Sequence, residues 1–562
     1  MDDKVSAGIF IFFTLVVVVV GVLIFNPLNL NTNPLDNELI TVNQTGNNTT
    51  SNYDILPSTT LLTSIPFSPG GYSQSSLSSM SPSVNPSPGP EPSPDPMDHI
   101  ISLFDQYIKS YYNQSLIPGM AVVIVQNDKI LYMNCLGVKD LASGEPVDEN
   151  TLFGICSITK QFSATNIAQL VDKGLMNWTD PITDYYSAPD EFQLYDDYVT
   201  GNITINDCLI HNSGLPVEGG NDYPTYFNDS YSAALYKLRY MENTTPFRST
   251  VQYNSMLYAL PGYCAARTSN TTWNELIKND LLDPLGMTTA TTSYYDFMNS
   301  PNHVTPYKLL KNGTMKAYDV IPDPIGPAGS MACSISEMAN WLRFQIADTG
   351  YYNGVQIVSK KELDETRTGK MYMNAKNTSM IGYGWGTKDN GTTIYHDGDS
   401  DAFFSQITIY TTKDLGIVIL SNGGQYAYNF KICLDAKFRE LLKDNDAFDP
   451  WPARKNLTDN TWIEDVPDQY VDNPQPLSAY VGEYSHSVFG LINITTNTGT
   501  LICNYGNNSQ SFDLKHWSNT TFEDPTNNHF FNFTDFQSDG AQQVEVTHFS
   551  FPPENGTFNR TS

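Results

Sequence analysis

Strand-forming runs stand at both ends of the segment 98–445, and helix-forming runs fill the space between them. At the front, "GMAVVIVQNDKILYMNCLG" reads as two strands around the turn Gln126–Lys129. At the back, "TTIYHDG", "FFSQITIYTT" and "LGIVILSN" have the same strand character. From Ser157 to about Asp348 the pattern is mainly helical; in "SISEMANWLRFQI", Ser334 and Glu337 are spaced as a capping box. The simplest packing is one antiparallel sheet, built from N- and C-terminal segments, flanked by helices and an all-helical subdomain. The expected fold class is α+β.

The rest of the chain divides around this segment. Val5–Phe25 is a run of apolar residues long enough to span a bilayer, with Lys4 before it and no further Lys or Arg until Lys109. Residues 1–25 therefore read as a cytosolic stub and transmembrane signal anchor, with the rest of the chain extracellular or lumenal. Cleaved secretion is the alternative. Glycosylation sequons beyond the run, among them Asn43, Asn113, Asn177, Asn270, Asn390 and Asn532, agree with that side. Residues 26–97, with "SPSVNPSPGPEPSPDP", cannot bury a core and read as a disordered stalk. A helix is expected from Asp98, in "DHIISLFDQYIKSYY". Residues 446–476 read as a linker. From Leu477 to residue 562 the chain alternates with period two, as in "GLINITTNTGTLICNY", and reads as a small antiparallel β-barrel.

Charge and cysteines narrow the function. The net charge of −30 offers no basic footprint, so nucleic acid is excluded as a partner. The seven cysteines form no Cys-x-x-Cys pair, so neither a metal site nor a thioredoxin motif is expected. An odd number leaves at least one thiol unpaired within the chain.

Chemistry concentrates at "FGICSITKQFSATNIAQLVDKG". Ser157 and Lys160 are three residues apart, so they share one helix face. A serine hydroxyl is a poor nucleophile until a neighbour takes its proton. Burial beside Ile155, Ile158 and Phe162, at a helix N-terminus, lowers a lysine pKa and favours the neutral base. The plain alternative is a capping serine and a solvated lysine.

"LFGICSITKQFSATNIAQLVDKGLMNWTDPITDY" resembles the nucleophile segment of serine β-lactamases and penicillin-binding proteins. It looks closest to the class C β-lactamase and D-stereospecific carboxypeptidase/esterase branch. Four further stretches match in order: "INDCLIHNSGLP", "VQYNSMLYALPGYCAARTSNTTWNELIKNDLLDPLGM", "GPAGSMACSISEMANWL" and "IYHDGDSDAFFSQITIY". The resemblance covers roughly Asp98 to Leu442. It implies Ser157 as nucleophile, Lys160 as the group sharing its proton, and Tyr253 as general base through a phenolate. It implies that His396 contacts the bound substrate in place of the family's strand lysine. Gly398 belongs to the same "HDG" motif, and the backbone N–H groups of Ser157 and Asp399 would form an oxyanion hole. Ser255 departs from the family, whose Tyr-x-Asn ends in an amide that binds substrate. His211 is expected to hold the turn "HNSGLP". The C-terminal segment is similar to the lipocalin-like barrel appended to some members.

These readings imply a membrane-anchored serine hydrolase that forms an acyl-enzyme with an amide or ester. The partner is a small-molecule or peptide substrate, and no cofactor is needed. The alternative is a catalytically silent surface-binding or scaffold protein on the same fold. Asp397, Asp399 and Asp401 lie near His396 in sequence and are expected to raise its pKa, so that carboxylate substrates bind better below about pH 6.

Overall fold

The computed structural model describes residues 96–561 except 222–226, 228, 310–314, 318–324, 401, 456–469, 507–510, 525–528 and 550–554. Helix α1 (Pro96–Ser115) leads into strands β1 (Gly119–Gln126) and β2 (Lys129–Gly137). Helix α2 (Thr159–Asp172) follows, then the short α3 (Ile205–Leu209), α4 (Ser255–Ser269), α5 (Ile335–Ala347) and α6 (Lys360–Arg367). Strands β3 (Met371–Tyr372), β4 (Ser379–Ile381), β5 (Gly386–Lys388), β6 (Thr393–Asp399), β7 (Phe403–Tyr410) and β8 (Leu415–Asn422) precede helix α7 (Gly424–Leu441).

These strands make one antiparallel sheet in the order β2-β1-β8-β7-β6-β5-β4-β3. Strand β1 pairs with β8 from Met120↔Ser421 to Gln126↔Leu415, so the two ends of the segment meet inside the sheet, one strand in from its β2 edge, and join in one sheet as the sequence pattern implies. Strands β7 and β8 are buried along their whole length because both faces are covered. On one face, a side chain at Gly416 would strike Leu342 and Ile346 of α5. On the other, Tyr410 packs on Phe438 of α7, and Thr408 donates to Asp435 of the same helix. Helix α2 lies in the interior, and every residue from Thr159 to Leu170 is buried. Its position puts polar side chains where only protein groups can satisfy them.

The C-terminal strands, from Gly482–His486 to Thr557–Arg560, form a closed eight-stranded antiparallel barrel. In Thr500–Tyr505 alternate residues are buried, which is the period-two pattern of the sequence. Phe227, from the helical region, is buried against Tyr505 and Phe549 of the barrel, with ring centroids 5.8 and 5.4 Å away.

The membrane assignment is corrected. Among the described residues no helix is long and apolar enough to cross a membrane. The longest, α1 and α7, carry charges along their length, such as Asp98, Asp105 and Lys109 or Lys431, Asp435, Lys437 and Arg439. The run Val5–Phe25 and the stalk as far as residue 95 lie outside the described residues, while Pro96 and Met97, expected in the stalk, open α1; the signal anchor, the membrane partner and the single-pass topology are not carried further.

Candidate active site

The turn that delivers Ser157 is held in an unusual backbone state. Cys156 has φ of 47°, a left-handed conformation that is costly for a residue with a side chain. It opens the single turn Cys156–Ile158, which runs directly into α2. Two bonds brace it: the Ile155 N–H donates to the Met331 carbonyl at 2.9 Å, and the Ser405 hydroxyl donates to the Ile155 carbonyl at 2.8 Å. Ser157 itself is 9% exposed, so its hydroxyl is within reach of a small substrate group but sheltered from bulk water.

Lys160, one turn on, is fully buried. Its ammonium donates to the Ser157 hydroxyl at 3.0 Å, the Ser255 hydroxyl at 3.3 Å and the Ala328 carbonyl at 2.8 Å. Its three donors are matched, yet none of these acceptors carries a charge. Burial therefore pulls its pKa down to about 8, against the opposing charge of Glu218.

Tyr253 and Ser255 approach from the start of α4. Tyr253 lies beside the amine, with its ring centroid 5.0 Å from Lys160 Nζ. Burial and the charge of Glu218 push its phenol well above the usual range, although hydrogen bonds with Ser157 and Ser255 work the other way. Tyr253 therefore keeps its proton at neutral pH, which departs from the phenolate that the resemblance implies. His211 stacks on the Tyr253 ring at 4.2 Å and accepts the Asn254 N–H through Nδ1 at 3.0 Å. Its own pKa is well below normal, first through burial and then through Lys160. Its side chain ties the start of α4 to the loop after α3.

Strand β6 forms the opposite wall. Gly398 is set by close approach: a Cβ there would lie 2.2 Å from the Ile155 carbonyl and 2.2 Å from Ser405 Oγ. Only glycine lets the strand end press against the nucleophile turn. His396 is half-buried, and its Nδ1 sits 2.6 Å from the Asp397 carbonyl. Its pKa is lowered to about 4, first by burial and then by Lys160, and these outweigh the Asp397 contacts that raise it. The expected rise is thus reversed, because burial of the ring first, and then the charge of Lys160, outweigh the adjacent carboxylate. Asp401 lies outside the described residues. The Asp399 carboxylate is ion-paired with Lys431 of α7. Burial raises the Asp399 carboxyl to about 6, so the pair is ionised at neutral pH.

The structure thus gathers Ser157, Lys160, Tyr253, Ser255, His396, Gly398 and Asp399 around the nucleophile turn. Two charged groups were missed by sequence reasoning. Glu218, 7% exposed, lies behind Ser255 and accepts its backbone N–H at 3.2 Å. A carboxylate in "HNSGLPVEGG" reads as a solvated loop residue. Lys431 did carry a signal: it falls on the same helical stripe as Ala427, Leu434 and Phe438, which are all buried. Among the described residues, no group of three or more His, Cys, Asp or Glu is placed to hold a metal.

A comparison with known families decides what this arrangement belongs to. The family model described as Beta-lactamase matches residues 104–436, well over half of the chain. The chain belongs to the beta-lactamase family. A second model, Domain of unknown function DUF3471, matches residues 469–558, the barrel region. The chain is 25% identical over 324 residues to the Staphylococcus aureus protein flp, covering 57% of this chain and 62% of that one. It thus spans less than two thirds of that relative. It is 24% identical over 431 residues to an unguisins hydrolase of Aspergillus campestris, covering 70% and 77% of the two chains. Among solved structures, the octameric penicillin-binding protein homologue from Pyrococcus abyssi superposes with a TM-score of 0.53 at 18% identity, covering 82% of this chain and 99% of that one. That likeness establishes the fold. This beta-lactamase-family member has the serine hydrolase fold, with a closed barrel appended.

Proposed function

We propose that the protein is a serine hydrolase that cleaves an amide or ester through an acyl-enzyme on Ser157. One observation carries this reading: a fully buried Lys160, its pKa drawn down to about 8, stands 3.0 Å from the Ser157 hydroxyl. A lysine in that state is partly neutral near neutral pH and can accept the serine proton as the bond to the carbonyl carbon forms. Tyr253, which stays protonated, acts as the hydrogen-bonded carrier between Ser157 and the leaving group. The backbone N–H groups of Ser157 and Asp399 serve the developing oxyanion. His396, neutral, and Ser255 line the substrate side, and Gly398 keeps that wall close. A peptidase or esterase substrate of small or peptide size fits this chemistry, and the hydrolase name of the Aspergillus relative agrees with the class.

The test is covalent. A fluorophosphonate probe incubated with the purified protein should give an adduct that peptide mapping places on Ser157 and that Ser157→Ala abolishes. Labelling that survives this substitution refutes Ser157 as the nucleophile, and a folded protein that takes no label refutes the reading and leaves a silent binding protein.

A further inference from the structure

The hydroxyl of Ser255 lies between a cation and an acid. Lys160 Nζ donates to it at 3.3 Å, and it donates onward to Glu218 Oε1 at 3.4 Å. The other carboxyl oxygen accepts the Ser255 N–H at 3.2 Å and a bond from the Asn221 amide. The Glu218 N–H donates to the Tyr253 carbonyl at 2.7 Å, which ties the acid's backbone to the same segment. Glu218 has φ of 53°, so the loop holds it in a strained state that a solvated glutamate has no reason to adopt. An acid with this much support, buried one hydroxyl away from the lysine, is more than a loop brace needs.

We propose that Ser255 and Glu218 form a proton relay that lets Lys160 become neutral without releasing its proton to water. The proton on Lys160 Nζ passes to Ser255 Oγ while the Ser255 hydroxyl proton passes to Glu218 Oε1. Ammonium and carboxylate become amine and carboxylic acid, Ser255 is regenerated, and the net charge of the three groups is unchanged. The amine lone pair is then free to take the Ser157 proton. This explains why a serine in place of the family's amide is compatible with catalysis: a hydroxyl both accepts and donates along such a chain, whereas an amide does not pass a proton on. The inference rests on the hydrolase reading of Ser157.

Burial favours the uncharged form at both ends of the chain. Burial raises the Glu218 acid to about 7 against the attraction of Lys160, and the lysine sits at about 8. The pair titrates as a unit. The other titratable groups facing Lys160 are Cys156 beside it, Tyr253 and Tyr258 from the α4 side, His211 after α3 and His396 on β6. Burial pushes Cys156 up to about 12 and both tyrosines well above their usual range, while both histidines are lowered. Asp399, at about 6, is the nearest other group to titrate, and its charge is tied to Lys431. Between about pH 6.5 and 9, then, the lysine and the glutamate are the groups at this site that change charge.

The experiment follows hydrolysis of p-nitrophenyl acetate across pH in wild type, Ser255→Ala, Ser255→Thr, Glu218→Gln and Glu218→Asp, with fluorophosphonate titration of Ser157 to count active sites. Ser255→Ala and Glu218→Gln should each lower kcat about 100-fold with KM within about threefold, while Ser255→Thr and Glu218→Asp, which keep the hydroxyl or the acid, stay within about tenfold. The wild-type profile should show two ionisations near neutrality and Glu218→Gln only one, a change that a loop brace would not produce. Two ionisations persisting in Glu218→Gln, or a kcat for Ser255→Ala within about threefold of wild type, overturns the relay. Infrared difference titration separates this from the hydrolase reading, since it needs no turnover. A carboxylic acid carbonyl band should be present in wild type at about pH 6, absent in Glu218→Gln, and should persist to higher pH in Lys160→Met, where the attraction that favours the carboxylate is gone. If Ser157 takes no label but this band behaves as described, the hydrolase reading falls and only the proton exchange between Lys160 and Glu218 stands; a wild type without the band refutes the relay.

Discussion

Two lysines flank the cleft, and they are buried to nearly the same degree, 0% exposed for Lys160 and 1% for Lys431. They titrate in opposite directions. Lys160 has hydroxyls and a carbonyl as acceptors, and burial pulls it down to about 8. For Lys431, burial acts in the same downward sense, but Asp397 and Asp399 together outweigh it and hold the ammonium above its usual range. Burial alone does not decide what a lysine does. Acceptors without charge leave it poised as a base, and carboxylates in direct contact fix it as a structural cation. Glu218 approaches Lys160 only through the Ser255 hydroxyl, which is why its charge moderates the lysine without fixing it.

The largest effect that can break this contrast is on acylation. Lys160→Met should slow fluorophosphonate labelling of Ser157 by about 1,000-fold, equivalent to about 4 kcal/mol of barrier. Lys431→Met should lower it far less, and an equal loss in the two variants would show that both lysines serve only the site's general electropositive field. The next effect is on stability and reverses the ranking. Lys431→Met leaves Asp399 facing a protein interior and should cost about 3 kcal/mol in denaturant unfolding. Adding Asp399→Asn should recover much of that loss, whereas Lys160→Met should cost less, since it strands no carboxylate in direct contact.

A smaller effect tests how close the two walls must be. Gly398→Ala places a methyl 2.2 Å from the Ile155 carbonyl, which must push β6 from the nucleophile turn. We expect about 2 kcal/mol of destabilisation with slower acylation, and unchanged labelling would show that the turn does not depend on the strand. The smallest effect concerns pH. His396 has a folded pKa of about 4 against 6.5 unfolded, so the unfolded chain binds more protons between those values. Its contribution to stability is present above about pH 6.5 and is lost as the pH falls toward 4, and His396→Gln should flatten that part of the melting-temperature profile. For the same reason, carboxylate esters should show no gain in binding between pH 7.5 and 5, because the ring stays neutral there. A gain confined to wild type and absent from His396→Gln would restore the cationic histidine.

What could be read in the sequence divides along the same line. Five of the sheet's eight strands were legible because they announce themselves at both ends of one segment, whereas β3, β4 and β5, two or three residues each, are too short to show a period-two pattern. Ser157 and Lys160 were legible because one helix turn fixes their spacing. Tyr253, His396 and Gly398 were placed by resemblance, since nothing local says that they face Ser157. Charge states were not legible. The carboxylates adjacent to His396 in sequence suggested a raised pKa, but burial first, and then Lys160, more than 200 positions away, set the opposite sign. Glu218 and Lys431 escaped for a related reason: each is explained by a partner on another element, Ser255 or Asp399, and sequence distance hides such pairs. Ser255 was noticed as a departure from the family, but its meaning depended on Glu218 behind it.

The assignment of Lys160 as the base that activates Ser157 is the step on which the others depend. It is tested most directly by measuring the rate at which fluorophosphonate modifies Ser157 as a function of pH, in wild type and Lys160→Arg. The wild-type rate should rise through the region below about pH 8 as the lysine–glutamate pair loses its proton, and Lys160→Arg, charged throughout, should be slower by orders of magnitude with no such rise. An adduct on another residue, or modification of Ser157 that is as fast in Lys160→Arg as in wild type, would contradict it.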